Sequence, residues 1–332
     1  MPDMMEAGDI AFPHLGIYLT NVPRQFSVFG YTITLYAVII ALGVLLAVKL
    51  CEVVAKRTGR DGEVYWDFFV PLVFISVLCA RIYYVVFSWD MYRDNPISVL
   101  YIHQGGLAIY GGVLGGFATL VVIARVVKKP YLEITDTVMF GLLAGQIIGR
   151  WGNFTNREAF GQYTDGLFAM RLPRAAVRIR DIAPSIAEHM QEGTNYIQVH
   201  PTFLYESCWN LALLLIMLLY VKHKRFDGEM ILFYLGGYGL GRALIESLRT
   251  DQLQIGDTGM AVSQVLGICL FVFAVIVEFI VRTRLAHKAP AEAAGAAEAV
   301  ITAETASPEG ESEAAASPEG ESGTDGSEDR IS

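Results

Sequence analysis

The chain has 332 residues, of which 53% are hydrophobic and only 18% charged, and its mean hydropathy is +0.42; an ordinary soluble domain carries about 25% charge. The formal net charge of −9 resides wholly in residues 287–332, where nine Glu and two Asp face one Lys and one Arg, while residues 1–286 hold 23 basic and 23 acidic residues and balance to zero. A neutral, greasy body with an acidic tail argues against a soluble acidic protein, a disulfide scaffold and a basic nucleic-acid binder.

A helix needs about 20 mostly apolar residues to cross a ~30 Å hydrocarbon core. After an N-terminal segment at 1–30, seven stretches meet that need, at roughly 31–54, 65–88, 105–127, 133–155, 202–221, 229–248 and 259–281. The expected fold is therefore an all-α integral membrane protein, a seven-transmembrane helix bundle occupying 31–286. Lys56, Arg57 and Arg60 follow the first span, Arg125, Lys128 and Lys129 close the third, Lys222, Lys224 and Arg225 follow the fifth, and Arg282, Arg284 and Lys288 follow the seventh. Basic clusters after the odd-numbered spans put the N-terminus outside and the C-terminus in the cytoplasm. The first apolar run starts some 30 residues in, without a basic leader or a small-residue cleavage site, which argues against a cleaved signal peptide.

The stretch between spans four and five, about 157–200, is expected to be external although it carries Arg157, Arg171, Arg174, Arg178 and Arg180. It reads either as a solvated external domain or as a basic surface attracting anionic head groups or an incoming chain. The tail, 287–332, repeats ASPEGES at 306–312 and 316–322 and is expected to be disordered and without a catalytic role.

Charged groups inside apolar spans are costly and mark function. Among them are Asp67, Arg81, Asp136, Arg150, Glu206, Arg242 and Glu246. In the expected topology Arg150 lies near the outer end of span four, with Asn153, Asn156 and Glu158 beyond it. His200, Tyr205 and Glu206 lie at the outer mouth of span five. Arg242, Glu246 and Arg249 share one face of the outer half of span six. The set can be read as ion pairs locking helices together, or as a site. Two arginines at matched depth suit a lipid phosphate, because guanidinium offers a rigid donor fork and stays charged when partly desolvated. The runs GGLAIYGGVLGG at 105–116 and GGYGLG at 236–241 allow close helix packing or a groove for an acyl chain. No HExxH, GxSxG or GxxxxGK[ST] motif is present, the four cysteines lack CxxC spacing, and neither a metal nor a cofactor is expected.

The segment GRWGNFTNREAFG at 149–161 resembles the signature of bacterial prolipoprotein diacylglyceryl transferases, roughly GRxGNFxNxExxG, matching at Gly149, Arg150, Gly152, Asn153, Phe154, Asn156, Glu158 and Gly161. HPTFLYE at 200–206, GRALIESLR at 241–249 and the Gly-rich third span are similar to further family stretches in the same order, over about 20–285. The resemblance implies transfer of the diacylglyceryl group of phosphatidylglycerol to the lipobox cysteine of a prolipoprotein whose signal peptide is still in the membrane. A thioether forms and glycerol phosphate leaves, on the outer face of the bacterial cytoplasmic membrane. For this reaction Arg150, Arg242, Tyr110, Glu158 and Glu246 are expected to be catalytic. Arg150, Asn153, Asn156, Gly161, Tyr36, Arg242, His200 and Glu206 are expected to bind phosphatidylglycerol.

Three positions depart from the family pattern. Phe203 stands where Gln is common, Tyr36-Ala37 where the family has Tyr-Gly, and Tyr110 where many members have a His assigned as general base. A free tyrosine, with pKa near 10, is a poorer base at neutral pH but can hydrogen-bond a phosphate or a thiol. His103, seven residues earlier, is a further candidate base. Two rival readings are a transporter, which would call for internal symmetry that the seven spans lack, and a non-catalytic phospholipid-binding protein.

Overall fold

The computed structural model describes residues 4–102, 105–250, 252–256 and 259–305, the last eighteen of these by backbone alone. The chain divides into two units, Met1–Ile280 and Val281–Ser332. In the first, two short strands, β1 (Ile10–Phe12) and β2 (Ile17–Leu19), precede a hairpin of β3 (Gln25–Val28) and β4 (Tyr31–Thr34). Phe29 and Gly30 both take positive φ at its tip, as a two-residue hairpin turn demands. Helices α1 (Leu35–Arg57), α2 (Glu63–Asp67), α3 (Phe69–Phe87), α4 (Ile109–Val126) and α5 (Tyr131–Asn156) follow. Then come β5 (Met170–Pro173), the one-turn helix α6 (Pro184–Ala187), β6 (Tyr196–Val199), α7 (Thr202–Tyr220), α8 (Glu229–Glu246) and α9 (Val262–Thr305), whose last residues belong to the second unit.

Six helical stretches are long and apolar enough to cross a membrane: Leu35–Arg57, Glu63–Phe87, Ile109–Val126, Tyr131–Asn156, Thr202–His223 and Val262–His287. They make this a multi-pass membrane protein. The remaining expected span is α8, a helix of 18 residues that falls short in apolar character because it carries Glu229, Arg242 and Glu246. Lys56 and Arg57 close α1, and the Thr34 hydroxyl opens it by accepting from the Ala37 N–H at 3.3 Å.

The glycine runs serve helix packing. A Cβ on Gly115 of α4 would stand 2.5 Å from that of Cys79 on α3, and one on Gly239 of α8 would stand 2.6 Å from the Gly267 carbonyl of α9. Small residues let these backbones approach where branched ones would hold them apart. On α5, Gly141 presses in the same way on Ala47 and Cys51 of α1.

The membrane-spanning part is all-helical, and short strands accompany it. The segment between α5 and α7 forms β5 and β6, which join β1 and β2 in an antiparallel sheet of order β2-β1-β5-β6, with Ile10 opposite Leu19, Ala11 opposite Arg171 and Met170 opposite Val199. Its core is Ile10, Phe12, Phe160, Met170, Leu172, Ile197, Val199 and Phe203. Strands of three or four residues give almost no periodic signal, and β1 finds its partner some 160 residues away, so hydrophobic pattern could not reveal them. α9 runs on to Thr305, helped by the Ala- and Glu-rich composition of 291–304, although disorder is expected there from composition. Residues 306–332 and His103 lie outside the described residues.

Candidate active site

The site is built around the last turns of α5. The helix stops at Arg157, which takes the left-handed conformation (φ 54°) and reverses the chain. The reversal carries Glu158 back to the helix end, where its Oε1 accepts from Nδ2 of Asn153 and of Asn156, each at 3.2 Å. Its other oxygen faces Arg178 Nη2 at 3.5 Å. Arg157 is itself buried and donates to the carbonyls of Thr155, Gly8 and Val22, pinning the N-terminal arm to the reversal. Of the loop arginines, Arg157 and Arg178 thus hold the fold around the site, and Arg171 stacks over Tyr196.

The centre of the cluster is Glu206, near the start of α7 and buried. Its Oε2 meets Arg150 Nη2 of α5 at 2.5 Å. Its Oε1 meets Arg242 Nη1 of α8 at 3.1 Å and Arg249 Nη1 at 3.5 Å. Arg242 Nη2 also pairs with Glu246 Oε2 at 2.7 Å, and Glu246 Oε1 accepts from the Ser263 hydroxyl of α9 at 2.6 Å. Arg150 Nη1 reaches Asn153 Oδ1 at 3.5 Å, which links the carboxylate centre to the Asn153–Glu158 group. Among the described residues three guanidiniums therefore meet two carboxylates at low exposure, where burial strengthens each electrostatic contact.

Tyr36, the second residue of α1, packs its ring against Gly152: a Cβ there would stand 2.6 Å from it. Together with Arg150 and Asn153 it closes the polar end of a cavity of about 570 Å³ between α1, α3, α4 and α5. Most of the other walls, such as Val44, Phe69, Leu72 and Ile123, are apolar, with Tyr65, Ser76 and Gln146 among them. A concave apolar space with a few convergent polar groups is the usual form of a small-molecule site.

The other expected residues fall beside this centre. Gly161 sits where a Cβ would stand 2.7 Å from both the His200 side chain and the Leu248 carbonyl, and its N–H donates to the His200 carbonyl at 2.9 Å. Its place is a close backbone crossing that seats the loop on the end of α8. The His200 ring is hydrogen-bonded to the Tyr205 hydroxyl at 3.2 Å, and burial lowers the pKa of its imidazole. Tyr110, at the start of α4, is half exposed, and no hydrogen bond among the described residues joins it to the cluster. Phe203 has a physical reason in this chain: it packs with Trp151 and Phe154, ring centroids 5.4 and 4.8 Å away.

Of the other intramembrane charges, Arg81 holds the loop before α4 by donating to the carbonyls of Ser98, Val99, Gly105 and Gly106. Asp136 lies near the opposite end of α5 from Arg150. Arg249, expected on one face with Arg242 and Glu246, joins the cluster, and so does Ser263, which is not among the expected residues. The i+3 spacing of Arg249 from Glu246 is a signal in the sequence. Ser263 has none, since only tertiary structure brings α9 to Glu246.

Long apolar helices, with a buried arginine–carboxylate cluster of which Arg150 also lines a largely apolar cavity, define a multi-pass membrane protein. The chain belongs to the prolipoprotein diacylglyceryl transferase family, whose pattern matches residues 23–280. It is 37% identical over 269 residues to the phosphatidylglycerol–prolipoprotein diacylglyceryl transferase of Clostridium novyi (strain NT), covering 80% of this chain and 97% of that protein. It is 40% identical over 269 residues to the enzyme of the same name from Limosilactobacillus reuteri (strain DSM 20016), covering 80% and 94%. To that from Halalkalibacterium halodurans it is 34% identical over 281 residues, covering 83% and 87%.

Proposed function

We propose that this chain transfers the diacylglyceryl group of phosphatidylglycerol to the lipobox cysteine of a prolipoprotein in the bacterial cytoplasmic membrane. The cysteine sulfur forms a bond to the glycerol carbon that bears the phosphate. The C–O bond to that phosphate breaks, glycerol phosphate leaves with the electron pair, and the thiol proton passes to an acceptor. The observation that carries this reading is the meeting of Arg150 and Arg242, from two different helices, on one buried carboxylate, with Arg150 also lining a largely apolar cavity.

On this account Arg150 and Arg242 take the leaving phosphate with the donors that Glu206 does not occupy, and the acyl chains lie along the apolar walls. Charge fixed in a dry site ahead of reaction supplies most of the rate enhancement in such catalysis. Glu206 and Glu246 orient the arginines. Glu158 orients Asn153 and Asn156, which with Tyr36 and His200 bind the head group, and Gly161 shapes the loop beside them. Tyr110 hydrogen-bonds the incoming thiol. All seven spans cross, α8 included. Its 18 residues reach about 27 Å, near the ~30 Å of hydrocarbon. Basic residues follow α1, α4 and α7, so the N-terminus, the sheet and the arginine cluster face outward.

The test is incubation of detergent-solubilised protein with phosphatidylglycerol and a lipobox peptide. A mass gain of one diacylglyceryl group on the cysteine, dependent on both substrates and abolished in Arg242→Ala, is expected. Lipid binding without transfer, in folded protein, would refute the enzyme reading.

A further inference from the structure

The end of α5 away from Arg150 carries a second cationic feature that the transfer reaction does not use. Asp136 and Arg150 are separated by 14 residues of one helix, about 20 Å. Around Asp136 lies a cavity of about 420 Å³. Two segments supply its basic residues: Arg57 and Arg60, at and just after the end of α1, and Lys222 and Lys224, in the turn after α7. The rule that basic residues collect on one side of a membrane accounts for their presence after these spans. It does not require two separate segments to converge on one cavity.

Two of the four cations are already balanced. Lys224 Nζ meets Asp136 Oδ2 at 2.8 Å and Asp227 Oδ1 at 2.7 Å. Asp136 is buried and also accepts the backbone N–H groups of Gly228 at 2.8 Å and Ile231 at 3.1 Å, so its acceptor capacity is met from within the protein. Arg60 pairs through Nε with Glu133 at 3.2 Å and through Nη2 with Asp227 at 3.8 Å. Its Nη1 makes only long contacts, 3.4 Å to the Thr137 hydroxyl and 3.5 Å to the Glu133 carbonyl. Arg57 and Lys222 are exposed on the rim and make no ion pair among the described residues. The cavity therefore presents two unspent cations and one redirectable guanidinium edge above a floor that includes Phe140 and Met230. It stands at the ends of membrane-crossing helices, the depth at which head groups lie.

We propose that this cavity binds a phosphate-bearing anion, supplied by the head group of an anionic phospholipid in the leaflet at this end of the bundle. Basic pockets between membrane helices hold such head groups, each exposed Lys or Arg adding to the attraction. Arg57 and Lys222 close on the phosphate oxygens, and Arg60 Nη1 turns from its long contacts to join them. The bound lipid ties the end of α1 to the turn after α7 and so braces the bundle. This inference does not rest on the transfer reaction.

The test uses the full chain in two arms. In the first, wild-type protein and the variant Arg57→Gln/Lys222→Gln are placed in phosphatidylcholine nanodiscs with or without phosphatidylserine, and retained lipids are counted by native mass spectrometry. In the second, inorganic phosphate is titrated into the detergent-solubilised proteins. The wild type is expected to retain phosphatidylserine that the double variant loses, with binding weaker by about tenfold or more, while Arg57→Lys/Lys222→Arg binds as the wild type does. Subtracting the double variant separates this cavity from the arginine cluster. Thermal unfolding without probe, and unaltered diacylglyceryl transfer, show that the variant is folded. Phosphatidylserine binding tighter than inorganic phosphate supports the head group. Inorganic phosphate binding as tightly, and lost in the same variant, overturns the lipid as occupant. Equal binding of both probes by wild type and double variant overturns the site.

Discussion

A buried carboxylate stands at each end of α5, Asp136 of α5 itself, gripped by Lys224, and Glu206 of α7, gripped by Arg150, Arg242 and Arg249, and the difference between them separates a lock from the proposed site. Asp136 accepts two backbone N–H groups as well as Lys224 Nζ, so its partners are fixed by the main chain. Glu206 is held by three guanidiniums, Arg150, Arg242 and Arg249, and among the described residues its carboxylate meets side chains and no backbone N–H. A guanidinium has five donors, and Arg150 and Arg242 each spend one on Glu206, so on the proposed reading they can offer others to an anion that enters. The first arrangement stabilises one geometry. The second stores oriented positive charge.

The sharpest way to break that comparison is to remove the stored charge. Arg150→Ala should lower diacylglyceryl transfer by at least about 10²–10³-fold, with much less effect on thermal stability. Retention of a tenth of wild-type turnover would contradict the role given to Arg150. A paired experiment comes next. Asp136→Asn should destabilise the protein by about 3 kcal/mol, read by thermal unfolding in detergent, yet leave turnover per folded molecule unchanged. Glu206→Gln should lower turnover about tenfold or more through misplaced arginines. If the two variants lost turnover alike, the distinction between lock and site would fail. Tyr110→Phe should reduce the rate about tenfold if its hydroxyl meets the thiol; an unchanged rate and pH–rate profile would remove Tyr110 from the mechanism. The smallest effect belongs to truncation before Lys288, expected to leave transfer intact. Lost activity with normal membrane insertion would give the tail a role.

Much of this comparison was legible in the sequence, because charge inside an apolar span is conspicuous. Arg150, Glu206, Arg242 and Glu246 could be placed at one depth from helix direction alone, and the structure brings all four into one cluster. Asp136 looked like its fellows in the sequence. Only the N–H groups of Gly228 and Ile231, some 90 residues away, show it to be a lock. The sheet escaped for the same reason: Ala11 opposite Arg171 is a pairing no local pattern encodes. The glycine runs were ambiguous until neighbours were known, since a Gly that admits Cys79 and one that would line an acyl groove read alike. α8 shows the converse cost: the charges that mark the site also dilute the hydropathy by which a span is recognised.

The central claim is that Arg150 acts through the planar donor fork of its guanidinium and not through charge alone. Arg150→Lys keeps the charge and loses the fork. In purified protein given phosphatidylglycerol and a lipobox peptide, the account predicts that this variant transfers diacylglyceryl nearly as poorly as Arg150→Ala. Transfer by Arg150→Lys at the wild-type rate would contradict it.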